Sequence, residues 1–370
     1  MSKFSRRGPP SMIEMQRRSF VFGTASALGL AAAPIGFGTR PARAAERSIT
    51  WGTNEAYSRP EMLAPFTEAT GVEVETALFS DPSEMVTKLQ AGGAGIDLLL
   101  DGSYHIDITY QSGVLQEMNL ANIPNLETVI PAFRNAQGLT FDGKTYGAPL
   151  LWGTDSVVYR GDLVDGEVND IAALFDEKYA GRIAMPGGLL ESLIVAAIYL
   201  GIDKPFDMSK AELDEVVTLL IKQKPLLRTY WNDIGDLKNL MATGEVVLAW
   251  GWAPVLELVD DGIDVRWGFP SQGQLGWYDG SYLTIEAEGQ AKADTEAFIN
   301  YLLGESYGVL LGKDVGYRTV SQTAISKMPE ELRGSLHLED PMSYLEGATW
   351  WVTPTDHQAY EDAWNRVLNA

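Results

Sequence analysis

The chain has 370 residues with 28 Lys and Arg, 50 Asp and Glu, and no Cys, which gives a formal charge of −22. The length suggests about two domains, and the acidic balance argues against a nucleic-acid partner because phosphate contacts need clustered Lys and Arg. The lack of Cys excludes disulfides, thiolate metal ligands and thiol nucleophiles.

The N-terminal segment has the pattern of a secretory signal. Arg17-Arg18-Ser19-Phe20 precedes an apolar stretch from Val21 to about Ala33, and the tripeptide Ala42-Arg43-Ala44 follows. This order predicts a twin-arginine signal over residues 1–44 that is cleaved on export. A membrane anchor is the alternative, but the apolar stretch is shorter than the ~20 residues of a spanning helix. Cleavage removes seven basic residues and one acidic residue, so the mature chain has a charge of −28.

Strand and helix patterns alternate through the first half of the mature chain. In order, the patterns predict a strand at Ser48–Trp51, a helix at Pro60–Thr70, a strand at Val72–Leu78 and a buried strand at Ile96–Leu100. Short elements that alternate in this way indicate βαβ units, with mainly parallel sheets and helices on both faces. We therefore expect an α/β fold.

The same alternation continues in the second half. Strands are predicted at Ser156–Tyr159, Arg182–Met185, Val246–Trp250 and Ser281–Ile285, and helices at Glu191–Leu200, Asp233–Ala242, Thr295–Leu303 and Asp356–Leu368. Ser209 and Glu212 form a capping box that opens a further helix to about Gln223. The elements divide into two halves of roughly equal size, which agrees with the length.

The ten Trp are unevenly spread, and five of them lie between Trp231 and Trp277. Trp250-Gly251-Trp252 ends a predicted strand, and Trp277-Tyr278-Asp279 precedes the next one. Ligands of open α/β sheets bind at the carboxyl ends of the strands. Tryptophan faces beside a carboxylate suit an organic cation, because the ring attracts the positive charge and the acid neutralises it. The alternative is that each of these Trp is an ordinary core residue.

Enzyme motifs are not found. The three histidines, His105, His337 and His357, have no metal-ligand spacing, and no nucleophile elbow, phosphate loop or dinucleotide fingerprint lies at a strand-to-helix turn. We therefore expect a protein that is not an enzyme and that has neither a cofactor nor a metal site. A carboxylate pair for acid–base catalysis stays open as an alternative, because the mature chain has many acids.

Six short stretches, taken in order, resemble the periplasmic solute-binding proteins of ABC importers, and most closely the spermidine/putrescine-binding family. They are Tyr57 to Val74, Ile96 to Asp107, Tyr146 to Thr154, Gly244 to Trp252, Trp277-Tyr278-Asp279 and Gly316-Tyr317. The resemblance implies a two-lobed periplasmic-binding-protein fold of type II, each lobe a mixed, mainly parallel sheet flanked by helices. It places residues 45–154 and 281–322 in one lobe, and 155–280 and 323–370 in the other.

The resemblance also implies a function and a site. The protein would be a monomer in the periplasm that captures a cationic amine or polyamine-like solute and delivers it to a membrane permease, with no nucleic-acid partner. Trp252 and Trp277 match the aromatic positions that enclose the solute, and Asp279 matches a carboxylate that pairs with an amine. The other matched positions are Tyr57, Tyr104, Tyr317, Glu191 and, with a displacement of one residue, Glu55.

Two departures from the family pattern leave the solute open. The family's N-terminal aromatic-x-acid-Tyr motif appears here as Asn54-Glu55-Ala56-Tyr57, so that its acid is displaced by one residue to Glu55, and the position of another amine-binding acid is Gly188. A long polyamine needs a carboxylate at each end, because a buried unpaired ammonium is costly. The solute is therefore a polyamine, a smaller monocation or a zwitterion, and an anion or a metal ion stays as an alternative. Asp155, Asp233 and Asp236 are candidates for a replacement acid.

Overall fold

The structure is a computed structural model that describes residues 47–79 and 82–370. All of these residues belong to the compact unit Ala45–Ala370. The predicted signal over residues 1–44 lies outside the described residues. Among the described residues we find no helix with the length and apolar character that a membrane crossing requires.

The described residues form a mixed α/β structure. The strands are β1 (Arg47–Thr53), β2 (Val72–Leu78), β3 (Leu98–Gly102), β4 (Thr140–Phe141), β5 (Lys144–Thr145), β6 (Gly147–Arg160), β7 (Ile183–Pro186), β8 (Leu227–Trp231), β9 (Leu248–Trp252), β10 (Val265–Trp267), β11 (Leu275–Leu283), β12 (Arg318–Thr319) and β13 (Thr349–Trp350). The helices are α1 (Pro60–Thr70), α2 (Pro82–Ala91), α3 (Ile106–Gln111), α4 (Pro131–Arg134), α5 (Glu191–Tyr199), α6 (Lys210–Gln223), α7 (Ile234–Ala242), α8 (Gly289–Leu302), α9 (Glu305–Asp314), α10 (Gln322–Lys327), α11 (Glu330–Ser335), α12 (Pro341–Tyr344) and α13 (His357–Leu368).

The main sheet has two parallel halves joined by two antiparallel strands. Its order is β2-β1-β3-β11-β6-β9-β7-β8. Strands β2, β1 and β3 pair in parallel, as do β9, β7 and β8, whereas β11 and β6 run antiparallel to their neighbours. Within this strand order, β11 and β6 therefore lie between the two parallel halves and connect them.

Strands β6 and β11 pass from one hydrophobic core to another. In β6, Leu150–Trp152 belong to the first core, which also contains β1 and β3, while Val157 and Tyr159 belong to a second core that contains α5 and α6. In β11 the order is reversed, with Leu275 in the second core and Tyr278 in the first. A third cluster packs α7 against β9 and β10. The two crossing strands thus connect separately packed halves.

The C-terminal segment is divided between the same cores. Met328, Leu336 and Leu345 pack in the first core, although the sequence-based division at residue 322 places them in the second lobe. Trp351 and the helix α13 pack in the second core, and Tyr360, Trp364 and Val367 are its buried face. The chain therefore passes from the first core to the second between Leu345 and Trp351.

The largest difference from the predicted elements concerns β11. The sequence predicts a strand at Ser281–Ile285 with Trp277-Tyr278-Asp279 in the preceding loop, but these three residues lie inside β11. The reason is tertiary pairing, because β11 bonds to β6 from Leu275 onward and to β3 from Asp279 onward. Backbone ladders on both sides extend the strand past the turn-prone Gly276 and Gly280.

Candidate functional site

A cavity of ≈ 570 Å³ lies where β6, β9 and β11 meet the start of α5. Its volume is within the usual range of small-molecule sites. It is lined by Pro82, Ser83, Tyr104, His105, Ile108, Asp155, Gly188, Leu189, Leu190, Glu191, Trp252, Trp277, Asp279, Tyr317, Trp351, Thr353, Pro354 and His357. Three of these are carboxylates, and five are Trp or Tyr.

Asp279 projects from the middle of β11, opposite Gly102 of β3 and Leu151 of β6. Burial raises the pKa of its carboxyl group to about 7, and the nearby Asp101 adds to this shift by charge repulsion. Within the described residues no donor hydrogen-bonds to this carboxylate, although it lines the cavity. A buried acid without a donor is stabilised by a cation that enters the cavity.

Asp155 lies in β6, at the point where the strand leaves the first core. It is only 2 % exposed but reaches the cavity. Its Oδ1 accepts a hydrogen bond from Trp277 Nε1 at 2.8 Å, and its Oδ2 accepts one from Trp351 Nε1 at 3.4 Å. Burial nevertheless raises the pKa of this carboxyl group to about 7, because the two indole donors only partly replace water.

Glu191 is the third acid and the first residue of α5. Its Oε1 accepts a hydrogen bond from Trp252 Nε1 at 3.1 Å. Burial raises its pKa well above the ordinary value, and repulsion from Asp155 raises it further. Asp155 and Glu191 are therefore close enough to influence each other's ionisation, and each is held by an indole N–H.

The aromatic walls are fixed by rings behind them. Trp252 is the last residue of β9, and its ring meets Trp231 edge-on at 4.8 Å. Trp277 meets Tyr317 edge-on at 5.5 Å, and Tyr317 in turn meets Tyr57 at 5.8 Å. Such edge-to-face pairs add about 0.5–1.5 kcal/mol to simple burial. The indoles therefore hold their positions when the cavity is empty.

Gly153 sets the position of Trp277. The two residues are directly opposite in the β6–β11 ladder, and a Cβ on Gly153 would lie 2.3 Å from Cζ2 of Trp277. Gly153→Ala should therefore displace the indole and break its bond to Asp155, with an overpacking cost of about 1–3 kcal/mol. We expect a lower melting temperature and weaker solute binding. Gly334→Ala is the control, because a Cβ there would meet only the Glu339 side chain, at 3.7 Å, and Gly334 does not line the cavity.

A chain of polar residues supports the opposite wall. His105 Nδ1 lies 3.1 Å from both oxygens of Asp101, and its Nε2 lies 3.2 Å from Ser83 Oγ. Thr109 donates a further hydrogen bond to Asp101. Asp101 orients the imidazole, and Ser83 and His105 present polar atoms to the cavity.

The charge of the lining restricts what the cavity can hold. Among the described residues, no Lys or Arg lines it. Within the same ranges, no group of three His, Cys, Asp or Glu side chains is arranged to hold a metal ion. The arrangement therefore offers acceptors and π faces for a cation, and no Lys or Arg for a carboxylate or phosphate of a ligand. The ionisable bases of the described lining are the imidazoles of His105 and His357.

The structure brings six of the eight predicted site residues to one cavity: Trp252, Trp277, Asp279, Tyr104, Tyr317 and Glu191. Tyr57 is buried behind Tyr317 and does not line the cavity. Glu55 is exposed in a short turn after β1 and does not reach the cavity either. In this turn Tyr57 is the buried residue, and Glu55 lies on the side that faces solvent.

The two residues that hold each other by a hydrogen bond in the lining, Asp155 and Trp351, are not among the predicted site residues. Asp155 was one of three candidate acids. Asp233 instead caps α7, and Asp236 is exposed on that helix. The signal for Asp155 was available, since it is a charged residue inside the otherwise apolar β6, and buried acids are rare. Trp351 gave no such signal, because its position depends on how the C-terminal segment crosses between the cores.

Comparison with known proteins identifies the family. A family model described as bacterial extracellular solute-binding protein matches residues 61–331. The spermidine/putrescine-binding periplasmic protein of Escherichia coli K12 is 26% identical over 328 residues, which cover 87% of this chain and 91% of that protein. The putrescine/agmatine-binding protein of Pseudomonas aeruginosa is 25% identical over 312 residues, 78% of this chain and 81% of that protein.

A solved structure shows the same fold. The spermidine/putrescine ABC transporter substrate-binding protein of Streptococcus pneumoniae superposes with a TM-score of 0.76 at 23% identity, over 87% of this chain and 99% of that one.

The chain belongs to the bacterial extracellular solute-binding protein family. This is a family of transport proteins rather than of enzymes. The predicted periplasmic-binding-protein fold is confirmed, and so is the predicted family. The protein is located in the periplasm, as the sequence predicts.

Proposed function

We propose that this protein captures a cationic amine without an acidic group and delivers it to an ABC permease, and that it is not an enzyme. The observation that carries the proposal is the charge of the cavity, where three carboxylates lie beside five Trp and Tyr residues and, among the described residues, no Lys or Arg lines the cavity. The names of the relatives support it, since they describe binding of spermidine, putrescine and agmatine.

The cavity disfavours the other solutes that the sequence leaves open. A zwitterion would place its carboxylate in a lining with three acids and, among the described residues, no Lys or Arg. An anion would meet the same repulsion. The described residues also offer no cluster for a metal ion. A cation, in contrast, neutralises acids whose pKa values are raised by burial.

The two-lobe arrangement is part of the proposal. We place the hinge in β6 and β11, because both strands pass from the first core to the second. The separate packing of Leu345 and Trp351 supports a third crossing in the C-terminal segment, rather than the boundary at residue 322. In this proposal the protein acts as a monomer that closes over the solute.

A thermal-shift panel tests the proposal. Mature protein, freed of bound solute by partial unfolding and refolding, is heated with putrescine, spermidine, choline, betaine or amino acids. At a hundredfold excess over Kd, a bound solute adds about 2.7 kcal/mol of stability, so the melting temperature should rise by several degrees. We expect shifts with the diamines and polyamines and none with acidic amino acids. A shift with an acidic amino acid alone would refute the proposal.

A further inference from the structure

We infer that Asp155 is a second ammonium anchor of the cavity and selects dications over monocations. This inference rests on the proposed function and adds to it a residue that matches none of the family's acids. The sequence pattern of the family would place an acid at residue 188, where this chain has Gly. Glu55, the other expected acid, does not reach the cavity. Besides Asp279, the acids that line the cavity are Asp155 and Glu191, and we assign the far end of a diamine to Asp155.

Asp155 has free acceptor capacity toward the cavity. An ionised carboxylate has about four lone-pair positions. The Asp155 carboxylate accepts two indole N–H groups, one on each oxygen. Two positions stay available, and Asp155 is among the lining residues. An ammonium has three donors, so it can bridge the remaining lone pairs of Asp155 while the indole bonds hold the carboxylate in place.

The surroundings of Asp155 also suit a positive charge. Glu191 is near enough that its charge interacts with that of Asp155. The rings of Trp277 and Trp351 lie on two sides of the carboxylate. Two acids beside each other repel when both are ionised, and a cation placed at Asp155 relieves that repulsion. Asp279 lies on a different strand, where its charge interacts with Asp101. The cavity thus has two separate anionic centres.

Asp155 is placed where the chain crosses between the cores. It belongs to β6, and its partners Trp277 and Trp351 come from β11 and from the segment after β13. In that segment Trp350 packs against Phe133 of the first core at 5.4 Å, while Trp351 packs against Phe206 of the second at 5.4 Å. Three segments cross between the cores: β6, β11 and the segment after β13. An ammonium bound to Asp155 therefore lies at the carboxylate through which these three segments are hydrogen-bonded to one another.

The test compares a diamine with a monoamine of equal length. Calorimetric titrations with putrescine and n-butylamine are made on wild-type protein and on Asp155→Asn. In wild type, putrescine should bind at least about 30-fold more tightly, since it neutralises both centres. In Asp155→Asn that preference should fall to within about threefold, while butylamine, which can use Asp279 instead, changes little. Asp236→Asn is the matched control, because Asp236 is an exposed acid of α7.

The outcomes separate this inference from the proposed function. If wild type binds no amine, the proposed function fails. If wild type binds putrescine and Asp155→Asn keeps the full preference over butylamine, or loses affinity for both equally, the assignment of Asp155 is overturned. If Asp155→Asn does not fold, the affinity of wild-type protein is measured instead for a series of α,ω-diamines with three to six carbons. Two fixed anchors predict one optimum length, and a steady rise of affinity with length would contradict them.

Discussion

Asp279→Asn should lower the affinity for putrescine by at least about 30-fold and at the same time stabilise the empty protein. The first effect follows because one ammonium would be left in a buried site without its counter-charge, at a cost of about 2–5 kcal/mol. The second follows because the substitution removes a carboxylate whose charged form is disfavoured by burial and by Asp101. Calorimetry and thermal melting at pH 8 measure the two effects on the same sample.

The opposite signs of the two effects distinguish this prediction from simple misfolding. A variant that folds poorly would lose both binding and stability. Asp236→Asn serves again as the control and should change neither quantity. Retention of wild-type affinity in Asp279→Asn, with an unchanged melting temperature, would show that Asp279 carries no ligand charge.

Solute binding should weaken strongly as the pH falls from 8 to 5.5. In the empty protein, burial raises the pKa values of Asp155 and Asp279 to about 7, so both are mostly protonated at pH 5.5. A cation favours their ionised forms and must displace these protons, and Glu191, whose pKa is also raised, adds to the effect. We expect affinity to fall through the range around pH 7 and to level off above pH 8. Titrations in buffers of different ionisation enthalpy should detect the released protons.

The stability of the empty protein should change in the opposite direction. An acid whose folded pKa lies above its unfolded value binds more protons in the native state, so the native state loses stability as the pH rises through this interval. For Asp155 the interval runs from 3.8 to about 7, which corresponds to about 4 kcal/mol at most. The stability of wild type relative to Asp155→Asn should therefore decrease from pH 4 to pH 8. A pH-independent difference would contradict the raised pKa.

Local patterns predicted most of the regular elements. The helix at Pro60–Thr70 and the strand at Val72–Leu78 occur with the predicted bounds, and the Ser209 capping box is formed as expected. These elements depend on apolar periodicity, caps and terminal glycines, all of which are local. The predicted start of β11 is six residues too late, at Ser281 instead of Leu275, because the start depends on pairing with β6 and β3, which are distant in sequence.

The candidate site was predictable in part for a related reason. Trp252, Trp277 and Asp279 lie in short patterns that resemble the family, and all three line the cavity. Glu55 is expected on the same basis, yet it is exposed to solvent and does not line the cavity. The contact of Asp155 with Trp351 joins residues 196 positions apart. It depends on the crossing of the C-terminal segment between cores, which no local pattern encodes.

The most direct test of the account compares the charged solute with an uncharged one of the same shape. Mature wild-type protein, freed of bound solute, is titrated by calorimetry at pH 8 with putrescine and with 1,4-butanediol, which has hydroxyl groups in place of both ammonium groups. If the carboxylates of the cavity recognise positive charge, putrescine binds and the diol gives no measurable heat of binding. Equal affinity for the two compounds, or binding of the diol alone, would contradict the account.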